Sequence, residues 1–260
     1  MREYSASSLP SDYSCCQLCP RMCGVDRRTG TGFCGCSHKL MAARAALHQW
    51  EEPCVSGPEY EPGGSGTVFF SGCTLRCCFC QNFKLSSECF GKELTKNHLA
   101  DVFLRLQDEG AHNINLVTAT QFLPTILAAL DLIRHRLTIP VVYNCGGYER
   151  VQTVRALKGY VDVWLPDFKY FDNQLALKYS RAGDYFEIAS AAISQMISQT
   201  GAPVFQMMEN SNGPYELIKK GVIIRHMVLP VHRDDSIRLL IAEYLSLFWK
   251  ICICVIIILI

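Results

Sequence analysis

From Leu94 onward the chain alternates short apolar runs with segments of helical period, an order that restricts it to repeated βα units around a parallel sheet. The strand candidates are Thr67 to Ser71, Asn113 to Thr118, Pro140 to Asn144, Val161 to Leu165 and Val222 to Leu229, each bounded by turn residues or proline. Between them, Asn97 to Glu109 carries Leu99, Val102, Phe103 and Leu106 on one face with Gly110 as a stop. Pro124 to Arg136 places Ile126, Leu127, Leu130 and Ile133 in the same way. Glu149 to Lys158, Tyr185 to Thr200 and Asp234 to Phe248 continue the rhythm. These stripes read as core. The expected fold is α/β, a partial barrel of six βα units whose strand C-terminal ends face one site.

A chain of 260 residues can bury a substantial core as one barrel-sized domain with an N-terminal extension. Its formal charge of +1, with no Lys/Arg run and no interleaved basic and aromatic stretch, leaves no footprint for nucleic acid. Met1 to Pro20 is polar and lacks the apolar core of a signal peptide. The 15 cysteines are therefore read as metal or redox chemistry in a reducing cytoplasm rather than as a secreted disulfide framework. Ser56 to Gly66, rich in Gly, Pro and Glu, reads as a loop. It divides a cysteine-rich extension over 1–62 from a barrel over 63–248, followed by an atypical hydrophobic tail over 249–260.

That tail runs uncharged from Ile251 to Ile260, too short to span a membrane, and no membrane association is expected. Its Ile and Val content reads as a strand that would aggregate if exposed. It is either a substitute for the final barrel strand or the aberrant end of a truncated or frameshifted gene. The shift in composition favours the second, which would leave the barrel incompletely closed.

Metal ligands cluster along a chain, whereas disulfide partners need not. Cys73, Cys77 and Cys80 stand at Cys-x3-Cys-x2-Cys spacing directly after an apolar run, with Phe79 beside the last thiol. A 4Fe-4S cluster usually takes four thiolates, so three leave one iron open to a small molecule. The bland alternative is a zinc knuckle. Upstream, Cys16, Cys19, Cys23 and Cys34 could close a site on zinc or on an auxiliary iron-sulfur cluster, with Cys15 or Cys36 as substitutes. Cys54, Cys89, Cys252 and Cys254 stand alone and read as apolar fillers.

The Cys73-x3-Cys77-x-Phe79-Cys80 loop resembles the signature of the radical S-adenosylmethionine (radical SAM) enzymes, in which the amino and carboxylate groups of SAM occupy the open iron. Cys78 has no role in that pattern. Further stretches resemble the branch similar to pyruvate formate-lyase activating enzymes: Cys19 to Arg27, Gly32-Phe33-Cys34-Gly35, His48-x2-Glu51-Glu52-Pro53, Gly110 to Thr118, Pro166 to Tyr170 and Arg225-His226. The likeness implies a partial (β/α)6 barrel of the radical SAM type. It also implies reductive cleavage of SAM for hydrogen-atom abstraction, an electron donor such as flavodoxin or ferredoxin, and a glycyl radical enzyme as partner. Where the superfamily commonly carries Gly-Gly-Glu to hold the SAM amino group, this chain reads Val117-Thr118-Ala119-Thr120-Gln121, passing the role to backbone carbonyls and Thr118 or Thr120. Asn144 falls at a position where activating enzymes have Asp, which puts it beside the SAM ribose and methionine moiety. Lys169, flanking Phe168 with Asp167, is placed to pair with the SAM carboxylate. For Arg225, anion binding and a structural network are both open readings. Competing with the enzyme reading are a non-catalytic iron-sulfur carrier, a zinc-stabilised binding module and an inactive truncated homologue.

Overall fold

The computed structural model describes residues 9–59, 62–210, 212–246 and 254–259. In chain order its elements are β1 (Met41–His48), α1 (Pro53–Ser56), β2 (Gly64–Phe70), α2 (Phe83–Glu88), β3 (Lys92–Glu93), α3 (Lys96–Asp108) and β4 (Ala111–Val117). A 3-10 turn, Thr120–Phe122, leads into α4 (Leu123–Ile133), then β5 (Val141–Cys145), α5 (Val151–Ala156), β6 (Val163–Pro166), α6 (Asn173–Ser180) and α7 (Tyr185–Thr200). The last elements are β7 (Val204–Asn210), β8 (Gly213–Val228), α8 (Arg233–Ser246) and β9 (Cys254–Leu259).

All the strands form one nine-stranded sheet in the order β3-β1-β2-β4-β5-β6-β8-β7, with β9 also on β8. The strands β2, β4, β5, β6, β8 and β9 run parallel. The strands β1, β3 and β7 are antiparallel to their neighbours. Among the described residues no ladder joins the ends of the sheet, so it stays open, as in a partial (β/α)6 barrel. Strand periodicity sorts the faces. Val68 and Phe70 of β2 and Ile114 and Leu116 of β4 belong to the large core shared with Leu99, Phe103, Ile126 and Leu130 of the helices. The alternating Ser65, Thr67, Asn113 and Asn115 are buried polar residues that face the barrel interior.

Those interior polar groups need partners once they leave water. Ser65 Oγ donates to Asn113 Oδ1 at 2.7 Å, and Asn113 Nδ2 donates to the Val55 carbonyl of α1 at 2.7 Å. Val55 joins Val142, Val163, Leu165, Ile218 and Ile223 in a second small core on the same inner face. The single turn α1 therefore plugs the barrel interior, and the Glu51-Glu52 pair enters with it.

Each expected strand and helix is present, with α7 at its expected bounds, β8 beginning at Gly213 rather than Val222 and the others shifted by a few residues; positions 247 and 248 of the last expected helix lie outside the described residues. No sequence signal marks the strands β1, β3 and β7 or the short helices α1, α2 and α6. Residues 41–48, assigned by sequence to the extension, form β1 against β2. Leu18 and Arg27 of the cysteine-rich segment are fully buried, and Arg27 Nη1 donates to the Gln121 carbonyl. Of the tail, residues 254–259 run parallel to β8 as the sixth parallel strand, while 249–253 and Ile260 lie outside the described residues. The N-terminal residues 1–8 of the signal-peptide argument also lie outside them. Among the described residues no helix is long and apolar enough to cross a membrane.

Candidate active site

At the C-terminal end of β2 the chain turns through Ser71 and Gly72 into the three-thiol loop. Gly72 has a φ of +80°, and a Cβ there would fall 2.2 Å from Cys36 Sγ, so only glycine fits. The Gln121 amide fixes this exit: Nε2 lies 2.8 Å from the Ser71 carbonyl, 3.1 Å from that of Gly72 and 2.8 Å from that of Thr118. Cys73, Cys77 and Cys80 then line a cavity of about 380 Å³ at the strand C-terminal ends. Phe79, Thr118, Asn144, Asp167, Lys169 and Arg225 line the same cavity, so every cofactor-contact residue expected from sequence is brought to it. Cys78 is exposed, with its backbone N–H bonded to the Tyr179 carbonyl.

Burial pushes the Cys73 thiol up to about 11 and raises that of Cys77. At Cys77 the Lys169 ammonium and the Ser180 hydroxyl oppose the shift, each favouring thiolate. Ser180 Oγ donates to Cys77 Sγ at 2.9 Å and is itself 2.7 Å from Tyr170 Oη. The three thiols border one cavity without converging on a point, which suits ligands that each take a different iron. Lys169 supplies a cation beside them, so the donor set fits an open 4Fe-4S site. Among the described residues no three His, Cys, Asp or Glu side chains gather around a single ion. Cys16, Cys19, Cys23 and Cys34 accordingly form no ready-made single-ion site as they stand. Cys16, Cys19 and Cys34 are buried, Cys23 is exposed, and burial pushes the Cys19 thiol up to about 12.

A ladder of charges crosses the inner face behind the cavity. Lys169 Nζ is 2.6 Å from Asp167 Oδ2, and Arg225 Nε is 2.8 Å from Asp167 Oδ1. Arg225 also donates through Nη2 to Asn144 Oδ1 at 2.6 Å and through Nη1 to Glu51 Oε2 at 3.4 Å, with Glu52 Oε1 at 3.7 Å. All three guanidinium nitrogens are thus engaged by protein oxygens. Burial alone would raise the Asp167 carboxyl, but Arg225 and then Lys169 outweigh it and hold it below its ordinary value. For Glu51 the balance reverses: burial, with Glu52 and Asp167 adding to it, overcomes Arg225 and pushes the group up to about 7. Glu51 belongs to the His48-x2-Glu51-Glu52-Pro53 stretch, which by itself assigns it no role. Its place here follows from α1, which no periodicity signals in a four-residue turn.

The remaining candidates separate. Thr118 reaches the cavity in a left-handed conformation, φ +54°. Thr120 turns away, donating to Glu149 Oε1 at 2.6 Å beside Tyr143. His226 is buried on the Phe168 carbonyl, 2.7 Å from Nδ1. The turn after Asn144 needs glycine at 147, where φ is +78° and a Cβ would sit 2.2 Å from the Asp167 carbonyl oxygen. Tyr185 Oη, 2.9 Å from the Gly146 and Asp167 carbonyl oxygens, ties that turn to the next strand end. Ser180, Tyr170, Gln121 and Tyr185 carry no local motif that marks them for this site.

The three loop thiols thus stand at the C-terminal edge of the parallel part of the sheet. Residues 67–200 match the Radical SAM superfamily, and the chain belongs to it. It is 32% identical over 230 residues to the uncharacterized protein MJ0674 of Methanocaldococcus jannaschii, covering 84% of this chain and 58% of that protein. The chain thus spans little more than half the length of that relative. Methylornithine synthase (PylB) resembles it with a TM-score of 0.44 and 14% identity, over 72% of this chain and 51% of that one.

Proposed function

We propose that this chain cleaves SAM reductively at an open 4Fe-4S site held by Cys73, Cys77 and Cys80. The observation that carries the reading is that the three thiols, Lys169 and Asn144 border one cavity at the strand C-terminal ends. When bound, cluster and SAM supply one-electron cleavage to methionine and a 5′-deoxyadenosyl radical able to abstract a hydrogen atom. The chain's residues bind and orient. Lys169, a cavity ammonium beside Cys77, pairs with the SAM carboxylate. Asn144 and Thr118 flank the rest of the molecule, and Phe79 gives an aromatic wall that helps exclude water. Arg225 acts as a positioning residue, since its contacts fix Asp167 and Asn144 rather than leaving a free anion site.

In its finer form the reading places the chain in the branch similar to pyruvate formate-lyase activating enzymes, with a flavodoxin or ferredoxin as electron donor and a glycyl radical enzyme as the protein activated. The family resemblance of the motifs supports this. Metal on Cys16, Cys19, Cys23 and Cys34, whether zinc or an auxiliary cluster, requires those thiols to be drawn together, and metal content beyond one cluster per chain is its test.

The deciding experiment is anaerobic reconstitution with iron and sulfide, reduction in the presence of SAM, and chromatographic assay of 5′-deoxyadenosine. Its formation is expected. An intact 4Fe-4S spectrum without 5′-deoxyadenosine would favour a non-catalytic carrier, and zinc in place of iron at the loop would favour a binding module.

A further inference from the structure

Cys36 and Cys89, 53 residues apart in sequence, place their sulfurs 3.6 Å from each other. Neither belongs to the three-thiol loop, and Cys89 reads in sequence as an isolated filler. Two glycines clear the space they occupy. A Cβ on Gly72 would lie 2.2 Å from Cys36 Sγ, and one on Gly35 would lie 2.9 Å from Cys89 Sγ. Cys36 Sγ is also 3.3 Å from the Ser71 carbonyl and Cys89 Sγ 3.3 Å from that of Gly35, and the Cys34 thiol neighbours Cys36 on its other side. Cys89 caps α2 in a left-handed conformation, φ 52°, which turns the chain back toward the cysteine-rich segment. Cys89 is partly exposed and Cys36 buried, so one thiol can meet a reagent while the other waits behind it.

We propose that Cys36 and Cys89 form a thiol-disulfide couple, a modification site separate from the cluster thiols, that exchanges with a small disulfide of the glutathione class. The partly exposed Cys89 thiolate attacks the reagent's S–S bond, forming a mixed disulfide and releasing one reagent thiol. The Cys36 sulfur then attacks Cys89 Sγ, its proton passing to the second reagent sulfur as that leaves as a thiol. The two cysteines lose two electrons and two protons, and the reagent disulfide gains both as two thiols. In the disulfide the sulfurs close from 3.6 Å to a bond of about 2.05 Å. The bond would join the segment packed against Gly72 to the end of α2, bracketing the loop that carries Cys73, Cys77 and Cys80.

The test uses the full chain, purified anaerobically, incubated with glutathione disulfide, quenched with an alkylating agent and mapped by peptide mass spectrometry. A Cys36–Cys89 linkage is expected, with two glutathione thiols released per linkage and full reversal by dithiothreitol. The Cys89→Ser variant should lose the linkage and leave Cys36 open to alkylation or capped by glutathione. The wild-type map stands without the variant should that variant fold poorly. Recovery of both cysteines in alkylated form after incubation would overturn the proposal. So would linkage of Cys36 to Cys34, or thiols that react only after a chelator removes bound zinc.

Discussion

Lys169 Nζ lies 2.6 Å from Asp167 Oδ2, an ion pair in which both side chains are at least four-fifths removed from solvent. The other Asp167 oxygen is taken by Arg225. Asp167→Asn would leave two buried cations around one neutral amide, and breaking such a pair strongly destabilises a fold. A loss of about 3–5 kcal/mol in unfolding free energy is expected, read by chemical denaturation of the apoprotein.

Replacing Lys169 itself is milder for the fold, because Asp167 keeps Arg225. Lys169→Met should instead weaken SAM binding by roughly tenfold or more, the scale of one lost charge-assisted contact. Anaerobic titration calorimetry on the reconstituted protein checks this, and an unchanged affinity would remove Lys169 from the SAM site.

Cys77→Ala should abolish SAM cleavage, since it deletes a cavity thiol that exposed Cys78 does not replace. Cys78→Ala should leave cleavage near wild type. The reverse pattern would show that the ligand register is misassigned.

Ser180→Ala removes the hydrogen bond to Cys77 Sγ and leaves Tyr170 Oη without its partner. Stability should fall by about 1–2 kcal/mol. Hydrogen bonds to ligand sulfur set cluster potentials, and losing one disfavours the reduced, more negative state. A redox titration followed by electron paramagnetic resonance should therefore move to lower potential.

Glu149 is fully buried, and burial pushes its carboxyl up to about 8 against the opposing Thr120 hydrogen bond. Folded protein keeps this proton through the range where an unfolded carboxyl, at about 4.3, has lost it. Stability linked to Glu149 is thus fully present below that lower value, declines as pH rises and levels off above about 8. In Glu149→Gln the fall in unfolding free energy between acid and alkaline pH should shrink by about 2 kcal/mol or more. An unchanged slope in denaturation series run across that range would contradict the assignment.

What could be read beforehand follows the range of the forces involved. The helix Tyr185–Thr200 is visible because its buried Ala189, Ile193, Met196 and Ile197 recur at helical spacing. The cluster loop is visible because its ligands are neighbours in sequence. By contrast β1, MAARAALH, is rich in helix-forming alanine and becomes a strand through its pairing with β2. Ser180 lies 103 residues from Cys77, and Cys89 lies 53 from Cys36, so nothing in spacing announces either meeting. Arg225 stands out in an apolar strand, but its partners come from three other segments, which left anion binding and a structural network equally open.

The sheet's parallel seams differ in how firmly they are sewn. Between β2 and β4 the ladder has six register pairs, and the Gln121 amide clips the two strand ends together as well. Between β6 and β8 there are only two, plus the bridge at Asp167 and Arg225. The Asp167–Arg225 ion pair therefore serves as the clasp of the loosest seam.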